Sequence, residues 1–101
     1  MKWKLFLDDE RYPTTNDWVI ARNFDDAVWY VTNYGMPYHI AFDHDLGAPQ
    51  NRTGYDFAKW FCDWVVDNDL GFDGFDFSVH SMNPVGAENI RRYMDNAMEW
   101  A

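Results

Sequence analysis

Short apolar runs alternate along this chain with longer amphipathic stretches, a pattern that indicates a domain in which β-strands alternate with helices. The apolar runs stop abruptly at polar residues, as strands do where they leave a buried sheet. From this pattern we predict four strands, over residues 3–7, 18–21, 38–42 and 75–79.

Three helices are predicted from apolar residues that recur at three- and four-residue intervals. The first follows Asn23, whose side chain can accept a hydrogen bond from an amide of the first turn. The second begins where Thr53 and Asp56 have capping-box spacing. The third begins at Pro84, which suits the first helical position, after Asn83 as the cap.

Three of the four predicted strands lead into helices, and this order favours a mainly parallel sheet with helices on both faces. We therefore expect an α/β fold of three layers, and the 101 residues have room for a single domain over 1–101. The segment between Asp9 and Asp17 is short for a parallel crossover, so the first two strands are joined either by an abbreviated crossover or as an antiparallel pair. An exposed loop is predicted over residues 48–52.

The composition changes this picture little but restricts the compartment. Hydrophobic residues make up 48% of the chain, which supports a folded core. Cys62 is the single cysteine, so an intramolecular disulfide is excluded. No apolar run approaches the roughly 20 residues that span a bilayer, and the first residues lead into a strand rather than a signal peptide. We expect a cytoplasmic protein that makes no membrane contact.

The charge restricts the partners. Eight Lys and Arg stand against seventeen Asp and Glu, a net charge of −9, so we expect no non-specific binding to nucleic acid. Three interpretations remain open. The acids serve solubility alone, or they gather to hold a metal, or they imitate nucleic acid toward a basic protein partner.

Polar residues follow three of the predicted strands, at the end where parallel sheets bind ligands. Asp8 and Asp9 follow the first strand, Asp43 and Asp45 the third, and His80 the fourth. At least three carboxylates should therefore converge, and their repulsion would raise their pKa values unless a cation compensates. Mg²⁺ (or Mn²⁺) takes oxygen ligands and keeps waters that a phosphate can displace. Whether Asp43 or Asp45 faces this metal stays open.

Other residues at this edge suit phosphate chemistry. Ser81 and Asn83 precede the last helix, whose first amides predict an anion pocket. Arg11 could bind phosphate through two hydrogen bonds, or form an ordinary ion pair with Glu10 or Asp17. His80 is the candidate general acid or base, and the alternative is that it only hydrogen-bonds a nearby acid. His44 is expected to pack or cap on the opposite side.

Four segments, in the same order, resemble the family of cyclic-phosphate processing receiver domains. They are DDERYP at 8–13, DHDLG at 43–47, TGYD at 53–56 and HSMNPVGAENI at 80–90. The resemblance implies a truncated receiver or flavodoxin-like fold with a metal pocket. It also implies that Asp9 is the direct ligand in this pocket, that Asp8 holds the metal or its water, and that Asp45 is the acid of the third strand. It also implies an activity on cyclic phosphates of RNA ends or nucleotides.

Two departures from ordinary receivers, the lack of a fifth strand with its lysine and the His80-Ser81 pair, lead us to expect no phosphorelay signalling. We predict a magnesium-dependent phosphoesterase whose substrate is a phosphorylated small molecule or an RNA end. Metal-activated water or Asp45 would be the nucleophile, and His80 would protonate the leaving hydroxyl. The alternatives are a module that sequesters a nucleotide without turnover, and an acidic phage-type inhibitor that binds a host enzyme.

Overall fold

Four parallel strands form the centre of the computed structural model, which describes residues 2–47 and 52–100. The strands are β1 (Lys4–Leu7), β2 (Val19–Ala21), β3 (His39–Phe42) and β4 (Asp76–Val79). They are arranged in the sheet in the order β2-β1-β3-β4. Because β1 and β2 pair in parallel, the abbreviated crossover is the correct alternative. Apart from Arg52, the loop predicted over 48–52 lies outside the described residues.

Three helices follow β2, β3 and β4, and their starts confirm the predicted caps. Asn23 Oδ1 accepts the amide of Asp26 at 2.8 Å, and Thr53 and Asp56 form the capping box. Within the described ranges, none of the helices has the length and hydropathy to cross a membrane. The helices are α1 (Phe24–Tyr34), α2 (Gly54–Asp67) and α3 (Pro84–Trp100).

The strand order explains where the helices lie. The connections from β2 to β3 and from β3 to β4 cross the sheet in the same direction, so right-handed crossovers put α1 and α2 on one face. Helix α3 packs beside α2, and one buried cluster joins all three helices to this face. The expected α/β class, with a parallel sheet and three helices, is confirmed.

The connection from β1 to β2, residues 8–18, runs in the opposite direction and lies over the other face without forming a helix. The described residues therefore make one helical layer on the sheet, where the sequence led us to expect one on each face. The physical reason is length, because a crossover helix with its turns takes a dozen or more residues.

Side chains alternate between the two faces along each strand. On β1, Leu5 and Leu7 are fully buried under the helices, and Ile40 and Phe42 on β3 lie beside them. Burial of each such side chain contributes about 1.5–3 kcal/mol. Phe57 of α2 is also fully buried and packs on Phe42, with ring centroids 6.1 Å apart. This layer holds β1 and β3 side by side.

We call the opposite face the loop face, because residues 8–18 lie over it. Trp18 from this segment meets the ring of Phe6 edge-on at 5.9 Å and lies 4.3 Å from Lys4 Nζ. Lys4 also forms an ion pair with Asp17 at 2.6 Å. These side-chain contacts, rather than a helix, hold the first connection against the sheet.

Candidate functional site

Three acidic side chains meet at the carboxyl edge of the sheet. Asp8 follows β1 and Asp43 follows β3, and both are buried. One carboxylate oxygen from each of Asp8, Asp9 and Asp43 lies within 4.8 Å of the other two. The amide of Asp43 donates to the carbonyl of Leu7 at 3.0 Å, which brings the two strand ends together. The convergence of carboxylates that the parallel order predicts is present in the structure.

Asp8 is held on both oxygens. Its Oδ1 accepts the amides of Glu10 and Arg11 at 2.9 and 2.8 Å, and its Oδ2 lies 3.0 Å from His80 Nε2. Burial works to raise the pKa of Asp8, but the two amides and His80 together lower it below the usual value. Asp8 is therefore a fixed carboxylate, ionised at neutral pH.

Asp43 has the opposite electrostatics. Burial raises its pKa, and the charge of Asp8 raises it further, while Ser81 and His80 oppose this only in part. A cation among the three carboxylates would relieve both effects. The donor set consists of oxygens alone, which is what Mg²⁺ and Mn²⁺ prefer, so the residues fit the predicted metal.

Asp45 lies at the edge of the same cavity with its side chain 65% exposed. Its Oδ1 lies 2.9 Å from His44 Nδ1 and 3.5 Å from Asn83 Nδ2, and the bond to His44 lowers its pKa. The group of acids within 4.8 Å contains Asp43 and not Asp45, and the metal role of Asp45 stays a prediction. His44 packs against Gly86, where an added Cβ would overlap its ring.

A cavity of about 270 Å³, which we call the acidic cavity, opens in front of these carboxylates. Two glycines shape it. An added Cβ at Gly47, whose φ is 77°, would lie 2.8 Å from Asp9 Oδ2, and one at Gly54 would overlap the carbonyl of Asp43. Only glycine allows both close approaches. Sequence analysis did not identify these glycines as site residues, although each lies within a motif that it did identify. The walls are Asp8, Asp9, Glu10, Arg11, Asp43, Asp45, Gly47 and Met82.

His80 lies behind Asp8 rather than in the wall of the cavity. Its ring stacks on Phe6 with centroids 4.6 Å apart and planes 7° apart. Nε2 bonds Asp8, while Nδ1 is buried and has no hydrogen-bond partner among the described residues. This is the contact that the alternative interpretation of His80 predicts, and its catalytic role stays a prediction.

Arg11 lines the acidic cavity, and its contact with a substrate phosphate stays a prediction. Its Nη1 donates to the carbonyl of His80 at 3.3 Å, and in the described ranges it forms no ion pair with Glu10 or Asp17. Arg22 holds the segment from Asp8 to Arg11 in place, because its Nη1 donates to the carbonyls of these two residues at 3.1 and 2.6 Å. The guanidinium of Arg11 therefore borders the acids without an ion pair to either Glu10 or Asp17.

Ser81 Oγ and Asn83 Oδ1 both accept hydrogen bonds within the turn that starts α3. Ser81 Oγ accepts the amide of Asn83 at 3.1 Å, and Asn83 Oδ1 accepts the amide of Gly86 at 2.9 Å. The carbonyl of Asn83 accepts the amide of Ala87. Pro84 has no amide hydrogen, so the pocket predicted at this helix start has fewer free amides than expected. The substrate contacts of Ser81 and Asn83 stay predictions.

Comparison with known proteins agrees with the motifs found in the sequence. The model of a family described as cyclic-phosphate processing receiver domain matches residues 3–96. This span contains the four strands, the acidic cavity and all four motifs. No curated protein and no solved structure matches the chain.

Proposed function

Because the chain belongs to the family of cyclic-phosphate processing receiver domains, we propose that it opens a cyclic phosphodiester to a phosphomonoester with the help of a divalent cation. One observation carries this proposal. The carboxylates of Asp8, Asp9 and Asp43 lie within 4.8 Å of one another in a cavity that Arg11 also lines. Acids and a guanidinium side by side suit a cation and a phosphate together.

In this proposal Asp8, Asp9 and Asp43 hold Mg²⁺ or Mn²⁺. A divalent cation bound there supplies charge that neutralises the phosphoryl oxygens and lowers the pKa of bound water. Asp8 needs little reorganisation for this role, because the amides of Glu10 and Arg11 already fix its orientation. Arg11 then donates to a non-bridging oxygen of the phosphate.

The reaction consumes one water. Its oxygen forms a bond to phosphorus, one of the two ring P–O ester bonds breaks, and the freed ester oxygen takes up a proton. Asp45 borders the same cavity with its side chain 65% exposed, so its position is the one from which a carboxylate can accept the proton that the water loses. We propose Asp45 as this base.

For His80 the geometry supports a positioning role. Its Nε2 lies 3.0 Å from Asp8 Oδ2 and its ring is held by Phe6, so it orients the carboxylate. The role of proton donor, predicted from sequence, can be separated by kinetics. If His80 only positions Asp8, His80→Asn lowers the affinity for Mg²⁺ and leaves the pH profile of kcat unchanged. If it donates the proton, the limb of that profile on the alkaline side is lost.

The proposed activity is tested with 2′,3′- and 3′,5′-cyclic nucleotides and with RNA that ends in a 2′,3′-cyclic phosphate. Each is incubated with the protein and MgCl₂ or MnCl₂ and followed by ³¹P NMR. We expect a monoester signal that EDTA abolishes and that Asp9→Asn reduces at least about 100-fold. Asp67→Asn, an exposed position at the end of α2, is the matched control and keeps full activity. No turnover by the native protein across this panel would contradict the proposal.

A second candidate is a module that binds a cyclic or phosphorylated nucleotide without turnover. The observation that favours it is that no imidazole borders the acidic cavity in the described part of the chain. Calorimetry distinguishes the two candidates. Tight, metal-dependent binding from which the cyclic ligand is recovered unchanged selects the binding module.

A further inference from the structure

A second and larger cavity lies on the loop face, beside the first. It has a volume of about 610 Å³, within the range of 300–1,000 Å³ that small-ligand sites usually have. We call it the aromatic groove. Tyr12 and Trp18 supply its rings, Thr14, Thr15 and Asn16 supply hydroxyl and amide groups, and the motif analysis gave none of these residues a role.

The aromatic groove adjoins the acidic cavity along the chain. Arg11 lines the acidic cavity, and the next residue, Tyr12, lines the groove. Arg22 belongs to both neighbourhoods, because it donates to the carbonyl of Asp8 and its guanidinium lies 4.6 Å from the centroid of Tyr12. A ligand with a phosphate in one cavity can therefore place a second group in the other.

The rings of the groove are supported from behind. Trp18 meets Phe6 and His39 edge-on at 5.9 and 5.4 Å, which fixes its plane against the sheet. Tyr12 is held on one face by Arg22 yet is 76% exposed. Trp18 is half-buried, so Tyr12 is the more accessible of the two rings. Aromatic rings at such a cavity stack on planar ligand groups.

The two cavities differ in charge. Five acidic residues border the acidic cavity, whereas within the described ranges no acid lines the aromatic groove. Arg22 lies against the ring of Tyr12 instead, and Lys4, which is paired with Asp17, lies against the ring of Trp18. In a chain of net charge −9, this region suits a neutral planar ring that is attached to a phosphate.

We propose that the aromatic groove binds the nucleobase of the ligand whose phosphate enters the acidic cavity. The ligand is then a nucleotide or the terminal nucleotide of an RNA, rather than a cyclic phosphate without a base. Tyr12 and Trp18 stack on the base, and Thr14 and Asn16 hydrogen-bond its edge. The Thr15 hydroxyl donates to Asp17 and therefore takes part only as an acceptor. The phosphate half of this inference rests on the proposed function, and the base half rests on the groove alone.

The first test compares two monoesters that are not turned over, adenosine 3′-phosphate and glycerol 2-phosphate, by calorimetry with MgCl₂. We expect the nucleotide to bind at least about tenfold more tightly, and Tyr12→Ala to weaken it roughly 5- to 100-fold without affecting glycerol 2-phosphate. Trp29→Ala removes a ring of comparable exposure on α1 and is the matched control, without effect on either ligand. Equal affinity for the two ligands overturns the proposal.

The second test uses adenosine, which has no phosphate, and follows the Trp18 indole N–H signal by NMR. If adenosine shifts this signal while cyclic phosphates are neither bound nor hydrolysed, the groove assignment stands and the proposed function fails. If cyclic phosphates are hydrolysed but adenosine leaves the signal unchanged, the groove assignment is overturned and the proposed function stands. The native protein suffices for this test, so it does not depend on the folding of any variant.

Discussion

The carboxylate of Asp43 is buried beside that of Asp8, and burial followed by this neighbouring charge raises its pKa. A raised pKa of an acid means that its ionised form destabilises the folded state at neutral pH. We therefore predict that Asp43→Asn raises the free energy of unfolding in EDTA, by on the order of 1 kcal/mol.

Urea denaturation at pH 7 checks this prediction. Saturating MgCl₂ should stabilise the native protein and not the Asp43→Asn variant, because a ligand stabilises only the state that binds it. Asp67→Asn should behave like the native protein in both solutions. A variant at position 43 that is less stable in EDTA, or equally stabilised by Mg²⁺, would speak against a metal-binding role for Asp43.

Asp17 is an exposed carboxylate whose pKa is lowered rather than raised. The hydrogen bond to Lys4 and then the one to Thr15 lower its pKa to about 2. A lowered pKa stabilises the fold above the ordinary value of 3.8, and this contribution is lost as the pH falls toward about 2. Between pH 5 and pH 2 the native protein should therefore lose more unfolding free energy than Asp17→Asn does, measured by urea denaturation at each pH. Parallel curves would refute the ion pair.

Cys62 is predicted to be unreactive in the folded protein. Its side chain is 6% exposed, and burial raises the pKa of its thiol to about 12, so little thiolate exists at neutral pH. Ellman's reagent should react with one thiol in urea and with none in native buffer over the same time. Rapid modification of the native protein would contradict this burial.

The acids of the site were predictable as a set, but their individual positions were not. Asp8 and Asp9 follow the first strand directly, which is a local signal. Asp43 and Asp45 both follow the third strand, and the choice between them depends on a hydrogen bond to Leu7, a residue distant in the sequence. The orientation of His80 likewise depends on stacking with Phe6.

At the scale of secondary structure, the helix starts could be predicted because caps are local. Asn23, Thr53 and Asn83 each bond an amide three residues further on, and each precedes the first helical residue. The strands were located within about a residue for a similar reason, since burial follows the apolar run. The close contact of α2 with the third strand end involves Gly54 and is invisible to such patterns.

The contact at Gly54 gives a prediction for α2. Its amide donates to the carbonyl of His44 at 2.8 Å, and an added Cβ would overlap the carbonyl of Asp43. We expect Gly54→Ala to cost about 1–3 kcal/mol of unfolding free energy and to displace the Asp43 carboxylate. Thermal denaturation and Mn²⁺ binding measure the two effects.

The matched control is Gly71→Ala, because an added Cβ there has nothing within 4 Å. It should leave both the melting temperature and Mn²⁺ binding close to those of the native protein. If Gly54→Ala behaves in the same way, α2 does not determine the position of Asp43.

For the molecule as a whole, the fold class followed from the order of the elements, whereas the layers did not. The strand order β2-β1-β3-β4 sends two crossovers one way and one the other, and this order cannot be read from local patterns. Residues 8–18 are too few for a helical crossover, so the second face of the sheet is covered by a loop that carries Tyr12 and Trp18. Because this connection is short, the sequence left the relative direction of the first two strands open. For the same reason the connection forms no helix, and the space over this face is left for the aromatic groove.

The way in which this loop is fastened has a consequence for how the protein could diversify. Residues 12–16 lie outside the buried cluster beneath the helices, while Lys4, Asp17 and Arg22 anchor the two ends of the segment. Substitutions within 12–16 can therefore alter which ligands are preferred without disturbing the hydrophobic interior. Ligand selectivity can therefore change at residues 12–16 while folding is maintained by other residues. This makes the segment a natural target for evolving or engineering new ligand preferences.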